Sequence, residues 1–482
     1  MGFNNTDSKL QRGEGAPPLY KQLKEIIRDE IAKGSLDSGE QIPTEYELCK
    51  KFSISRTPVR QALKELVNEG VLSRRQGSGT FVSEKPTQKI TLSALITEKQ
   101  WTDPLARATD RLNEKSNGPS IELDLEVLGR PHFHERILSH IGKGEAPDLA
   151  LMDSAWVTEF AAYQFIKPLN EIDGDWTARI QEQLLEPFVN RNLYQGNLYA
   201  LQPEANVSLL WYRKDEFDRL GLGPPHSWSE LVEVAQRLKK AGWKFPLAFA
   251  GGTAAGETTT YQLLPLIWGG GGAILKDGKI GLKDGGVKAV EFLHDLVHRY
   301  EVAPVDVHEF SWNQPLCMFA EERVAMAFGG SYEKKRLHQY SGWNGEEFWK
   351  RVGWVALPGP KKGERYATAG GMVYALSRQA EHPKMAAKIL REVMDKNAII
   401  NFCGKNDRVP TTRGAIEALD PRISRFSHQI SALLSYAQAP PGLVQYANIS
   451  EQLQLMFERV LLDQTSPAKS VKRASEVIAA LS

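Results

Sequence analysis

The sequence predicts a multidomain chain in which a small, mainly α module with a β wing precedes a large α/β domain. Three observations predict it. All eleven tryptophans fall between Trp101 and Trp354, so residues 1–82, rich in short helical patterns with Arg and Lys, differ in composition from the rest. Ser83 to Lys89 is polar and interrupted by Pro86, as expected of a linker. From Ile90 onward, short apolar strand-like runs alternate with longer amphipathic helices, the pattern of an α/β architecture. The expected boundaries are 1–82 for the first domain, 83–90 for the linker and 91–482 for the second domain.

At 482 residues the chain has room for more than one core, and its 41% hydrophobic and 25% charged content is that of a globular protein. No stretch reaches the roughly 18 uninterrupted apolar residues of a membrane span. Charges at Asp7, Lys9, Arg12 and Glu14, with no apolar core and cleavage site behind them, lead us to expect no secretory signal and a cytoplasmic protein. Cys49, Cys317 and Cys403 are widely spaced and odd in number, which fits reduced thiols better than a disulfide framework or a metal site. The net charge of +1 excludes nothing, because a basic face on a small module can be cancelled elsewhere.

In the first domain, Leu19, Leu23, Ile26, Ile27 and Ile31 recur at helical spacing and predict a first helix ended near Gly34. Thr44 stands three residues before Glu47, a capping box that opens a short second helix to about Phe52. Ser55 is placed to cap a third helix, with Pro58 in its first turn and Val59, Leu63, Leu66 and Val67 facing the core. Gly70 ends that helix. Leu72 to Arg75 and Thr80 to Val82 then read as two strands around Gln76-Gly77-Ser78-Gly79.

The result is a helix, a helix-turn-helix and a β wing. Ser55, Arg56, Thr57 and Arg60 stand at the start of the third helix, where a recognition helix meets base edges and phosphates, and Arg56 and Arg60 share a face. Arg74 and Arg75 make the wing basic. On pattern alone, a three-helix protein-interaction module with a solvated charged face is the competing reading.

Four ordered motifs carry a resemblance: Pro18-Leu19-Tyr20-Lys21-Gln22-Leu23, Ile42-Pro43-Thr44-Glu45, Ser55 through Leu63, and Gly77-Ser78-Gly79-Thr80-Phe81-Val82. From Pro18 to Val82 the chain resembles the winged helix-turn-helix of GntR-type regulators. The resemblance implies dimers on a two-fold symmetric DNA operator. The expected DNA-facing residues are Thr44, Glu45, Ser55, Arg56, Thr57, Arg60, Gln61, Arg75, Gly77, Ser78, Gly79 and Thr80. Tyr46 departs from the pattern, standing where many members carry an arginine, so no base contact is assigned there.

In the second domain, Glu145 to Trp156 reads as a turn, a buried strand and a loop opening a helix through Phe160, Ala161 and Phe165. Ligands in open α/β sheets sit at such carboxyl ends of strands. Trp156 is therefore a candidate stacking platform with Asp153 as a hydroxyl acceptor; a tryptophan wedged in the core is the alternative. Leu198 to Asn206, the apolar run Val207 to Tyr212, Met318 to Tyr332, Val352 to Pro360 and Gly370 to Ser377 follow in order.

That order, from Thr91 to Leu481, resembles the extracellular solute-binding proteins of the carbohydrate-binding family 1 type. The resemblance implies a periplasmic-binding-protein-like domain of two α/β lobes joined by crossover strands, closing over a ligand. It places Trp156, Glu204, Trp268, Tyr332 and Gly371 in the cleft, with Asp153, Tyr199 and Trp312 as further candidates. Sugars need flat rings for their C–H faces and polar groups at the edges, and the aromatic supply here is ample.

No Gly-x-Ser-x-Gly, no His-Glu-x-x-His and no phosphate loop is present, so no catalytic residue, cofactor or metal is assigned and the chain is read as a non-enzyme. His132-Phe133-His134-Glu135 lacks further spaced ligands and reads as a loop or helix start. Gly269 to Gly272 reads as a flexible loop near the cleft. The expected function is a DNA-binding regulator whose operator affinity responds to a small solute, with a transporter receptor and a carbohydrate-active enzyme as the competing readings.

Overall fold

The computed structural model describes residues 10–11, 17–32, 35–75, 78–83, 89–115, 119–129, 133–276, 279–420 and 425–481. The chain divides into two compact units, Met1–Ser93 with Ala106–Asp124, and Ala94–Leu105 with Leu125–Ser482. Most of the linker segment lies outside the described residues, while Lys89 and Ile90, at its end, already open strand β3 (Lys89–Ile96).

In the first unit, α1 (Leu19–Ala32) buries Leu23 and Ile27 completely against Leu48, Val59, Leu63 and Leu66. The outer members of its stripe, Leu19, Ile26 and Ile31, pack partly buried on the same core. Lys24 holds Glu65 at 3.0 Å and Glu69 at 2.5 Å, and Arg28 holds Glu69 at 2.7 Å, tying α1 to α3 (Arg56–Asn68). The capping box of α2 (Glu45–Phe52) forms as expected: Glu47 N–H donates to Thr44 Oγ1 at 3.3 Å, and Thr44 N–H donates to Glu47 Oε2 at 2.7 Å. Ser55 occupies the N-cap position of α3 with extended backbone, but its side chain makes no capping bond. Strands β1 (Leu72–Arg75) and β2 (Gly79–Val82) pair antiparallel from Leu72 with Val82 to Arg75 with Gly79, so the wing exists.

Among the described residues the second unit is built around two large sheets, with two small two-stranded ones beside them. In the first lobe, strand Leu149–Asp153 pairs parallel with Ala94 and Leu95 of β3 and antiparallel with Met372–Leu376, which also pairs with Ala200–Leu201. Helix Val157–Ala162 follows that strand after a single 3-10 turn. It stops three residues short of Phe165: Gln164 adopts a φ of 58°, and Phe165 folds back edge-on to Phe160 at 5.7 Å.

The second lobe centres on Glu204–Arg213, a strand almost wholly buried, as its continuous apolar run demands. It pairs antiparallel with Met326–Gly330, Val352–Val355, Arg365–Gly370 and Val409–Pro410. Trp211, fully buried there, stacks on Phe426 at 6.0 Å and donates from Nε1 to Glu333 Oε2 at 3.0 Å. Within the glycine run at 269–272, Gly270 and Gly272 are close-packed, an added Cβ falling 2.4 Å from the Gly285 carbonyl oxygen and 2.8 Å from that of Leu282, whereas Gly271 is exposed with open space around it.

The chain passes between lobes at Gln202–Pro203 and returns at Gly371. Gln202 Nε2 donates to the carbonyls of Glu204 at 2.9 Å and Gly370 at 3.0 Å, fastening the two crossings together. Thr411 Oγ1 donates to the Gln202 carbonyl, adding a third segment to the same point. No helix is long and apolar enough to cross a membrane among the described residues.

Candidate functional site

The face expected to meet nucleic acid lies where α3 begins. Ser55, Arg56, Thr57, Arg60 and Gln61 are all exposed, as are Arg74, Arg75, Ser78 and Gly79 of the wing; Thr80 is half-buried and Gly77 lies outside the described residues. Glu45 organises the basic groups: Arg60 Nε is 2.7 Å from its Oε2 and Arg74 Nη2 is 3.3 Å from its Oε1. That hydrogen bond holds the Arg60 guanidinium above its ordinary pKa. Arg75 lies over the Phe81 ring at 4.5 Å. Thr44 spends its hydroxyl inside the capping box, accepting from Glu47 N–H and donating to Glu47 Oε2 at 2.8 Å, so it shapes the face from within.

Between the lobes of the second unit lies a cavity of about 570 Å³, walled by Phe133, His134, Asp153, Trp156, Trp312 and Glu451 among others. A recess of about 70 Å³ adjoins it, lined by Asp153, Arg191, Asn206, Glu257, Tyr261, Tyr332 and Gly371. Asp153, Glu257, Thr258 and Met372 belong to both walls. Asp153 ends the strand Leu149–Asp153 and accepts from Ala155 N–H at 2.9 Å. Trp156 is held edge-on by His134 at 4.8 Å, and His134 Nε2 lies 3.0 Å from Glu159 Oε2, so this histidine serves to set a ring. The Arg336 guanidinium covers one side of Trp312 at 4.3 Å.

Five of the eight expected ligand residues therefore meet at the cavities: Asp153, Trp156, Trp312, Tyr332 and Gly371. Three do not, which corrects their expected placement. Glu204 is fully buried at the start of the crossing strand, its carboxylate 3.7 Å from Arg408 Nη1. Trp268 packs on the core of the second lobe, because its helix turns that face inward. Tyr199 turns towards Tyr194, ring centroids 6.2 Å apart.

Sequence reasoning missed Arg191, Asn206, Glu257 and Tyr261. Arg191, only 5% exposed, donates from Nη1 to the Pro440 carbonyl at 2.7 Å and lies over the Tyr446 ring at 5.1 Å. Among the described residues nothing accepts from its Nε or Nη2. A buried guanidinium with spare donors beside a cavity is equipped to bind ligand oxygens. Burial lowers its pKa, opposed by the nearby Tyr446, Asp153 and Glu257.

Glu257 opens helix Glu257–Gly269 and accepts from Ser450 Oγ at 2.5 Å and Tyr446 OH at 2.8 Å. Desolvation, with the charge of Asp153 second, pushes its carboxyl up from 4.5 to about 7 despite those bonds. The folded chain thus binds this proton more tightly than the unfolded chain. The associated stability is full below pH 4.5 and is lost as pH rises through about 7. The difference is worth up to about 3 kcal/mol. Glu257→Gln is expected to flatten this part of the pH profile. Unfolding midpoints of both proteins between pH 4.5 and 8 check it, and parallel profiles would refute the assignment.

A helix-turn-helix with a wing, joined to a two-lobed fold with an aromatic, polar-edged cleft, defines a class of protein with a nucleic-acid module and a solute-binding module. Residues 93–395 match the family described as bacterial extracellular solute-binding protein, and residues 19–82 match bacterial regulatory proteins of the gntR family. The chain belongs to the solute-binding protein family and carries a gntR-family winged helix domain ahead of it.

Among curated relatives, the HTH-type transcriptional regulator YurK of Bacillus subtilis is 55% identical over 65 residues, 14% of this chain and 27% of that protein. The chain thus spans about a quarter of this relative. The mannosyl-D-glycerate transport/metabolism system repressor MngR of Escherichia coli is 48% identical over 222 residues, 46% of this chain and 82% of that one. Among solved structures, an ABC transporter solute binding protein of Thermotoga lettingae bound with α-D-tagatose superposes with a TM-score of 0.71 at 23% identity, covering 81% of this chain and 99% of its own. Neither matched family is an enzyme family.

Proposed function

We propose that this protein is a cytoplasmic, dimeric transcription regulator whose operator affinity is set by a sugar or oligosaccharide bound between its two lobes. The observation that carries the reading is the presence, on one chain, of an exposed basic recognition helix and a cleft with the composition a sugar needs. Trp156 and Trp312 supply flat apolar faces; Asp153, Arg191 and Glu257 supply acceptors and donors at the edges. The relatives support the same direction, since the gntR-family relatives include repressors and the tagatose-bound structure shares the fold of the large domain.

The lobes are the bistable element. A solute that binds the closed form better than the open form shifts the population towards closure, and only that difference in affinity can act on the operator. Coupling of about 1 to 3 kcal/mol gives a 5- to 150-fold response. The experiment is a titration of mono- and oligosaccharides into the purified chain, following tryptophan fluorescence together with affinity for its own promoter region. A sugar that moves both signals is the expected result; tight promoter binding that no sugar alters would refute solute control.

The carboxyl pair favours a second reading. Asp153 and Glu257 line the same two cavity walls, Glu257 with its carboxyl pushed up to about 7, and glycoside cleavage uses two carboxyl groups flanking the scissile bond. Chromatography of oligosaccharides after incubation decides it: intact substrate leaves binding alone, whereas shortened products that vanish with Glu257→Gln would establish catalysis.

A further inference from the structure

We propose that His294, His298 and Asp463 form a binding site for a divalent transition-metal ion of the zinc class, outside both cavity walls. His294 ends helix Lys283–His294, and the chain continues through Asp295–Arg299 as a π-helical turn, a departure often found at functional positions. The two imidazoles lie side by side, ring centroids 4.5 Å apart. Asp463 lies just beyond helix Tyr446–Leu461, in the left-handed region at a φ of 53°. Its Oδ1 is 2.8 Å from His294 Nε2 and its Oδ2 is 3.5 Å from His298 Nδ1. The three ligand atoms all fall within 4.8 Å of one another. Tetrahedral zinc with nitrogen and oxygen ligands sets them about 3.4 Å apart, so small side-chain rotations close the set.

The far ring nitrogens separate a ligand set from an ordinary ion pair. His298 Nε2 is 2.8 Å from the Leu461 carbonyl oxygen, which can only accept. Nε2 therefore carries a proton, and a ring with that proton alone turns the bare lone pair of Nδ1 towards a carboxylate. Two acceptors facing each other repel unless a cation lies between them. Behind His294, Asp295 Oδ1 stands 4.0 Å from Nδ1, beyond hydrogen-bond distance, while its Oδ2 accepts from Arg299 Nη1 at 3.2 Å. Two imidazole nitrogens and one carboxylate oxygen suit zinc and its neighbours, whereas magnesium and calcium prefer oxygen alone. A second proton on His298 is the other cation that would satisfy the geometry, and the test distinguishes it.

The site does not depend on the regulatory reading. Its role would be to pin the π-helical turn to the connection between the last two helices, Tyr446–Leu461 and Pro467–Leu481. The experiment is calorimetric titration of zinc chloride into the full chain after chelator treatment and dialysis, with magnesium chloride as comparison. One saturable zinc site in the micromolar range or tighter is expected, with no magnesium heat and a raised unfolding temperature. His294→Ala and His298→Ala should each weaken zinc by at least about tenfold, and the exposed Asp463→Asn, which keeps size and fold, should do likewise. No saturable zinc binding by the wild-type chain would overturn the proposal and leave the proton as the cation. Equal zinc affinity in all three variants would overturn it too, assigning the zinc to other ligands.

Discussion

Replacing Arg56 and Arg60 together by alanine is expected to weaken promoter binding by about 100-fold while leaving solute affinity of the large domain unchanged. Each arginine that meets a base edge or phosphate is worth about 1 to 3 kcal/mol, so the pair outweighs any effect of fold. Both side chains are exposed on the first turns of α3, where truncation removes no core contact. Glu45 supplies the internal comparison. Its ion pairs with Arg60 and Arg74 are exposed, and such pairs contribute about 0 to 1 kcal/mol. Glu45→Gln should therefore change affinity far less than loss of the arginines. Anisotropy titrations of a promoter fragment at several salt concentrations measure both, and the arginine variants should also show a shallower salt slope. Wild-type binding by the double arginine variant would sink the assignment of α3 as the recognition helix.

What the sequence made legible follows from how local each signal is. The stretch from Leu19 to Val82 was readable because its signals act within a turn or two: the Thr44–Glu47 box, the stripe Leu23 and Ile27, and Gly70, whose φ is 73°. Ser55 marks the limit of such reading. Its position at the helix start was legible, but its missing capping bond was not, because a hydroxyl rotor is decided by its surroundings.

The cleft was legible only where a strand end announces it, at Asp153 and Trp156. Arg191, Asn206 and Glu257 come from three distant segments and acquire meaning only when the lobes bring them together. Glu204 misled for the converse reason. A carboxylate beside an apolar run looks like a ligand group, yet the strand carries it into the interior, where Arg408 partners it. Asp463 lies 165 residues beyond His298 in the chain, and nothing in either segment alone suggests the cluster they form.

The crossing at Gly371 gives the second large effect. Gly371→Ala is expected to destabilise the large domain by about 1 to 3 kcal/mol, the range of strain and overpacking at a special backbone position. Its φ is 151°, and an added Cβ would lie 2.2 Å from Gln202 Nε2 and 2.8 Å from the Glu204 carbonyl oxygen. The amide could retreat only by giving up its bonds to Glu204 and Gly370, which leaves two carbonyls and a buried amide without their partners. Because this point joins both crossings, the loss should appear in lobe closure as well as in stability: solute affinity falls, while binding of DNA in the absence of solute is retained. Gly142→Ala, within helix Phe133–Lys143 and with nothing within 4 Å of the added carbon, is the comparison, expected to keep or raise stability by up to about 1 kcal/mol. Thermal unfolding followed by tryptophan fluorescence reads the large domain specifically, since every tryptophan lies at or beyond Trp101. If Gly371→Ala unfolds with the wild type and binds sugar equally well, the crossing adapts at no cost and cannot be the hinge on which closure turns.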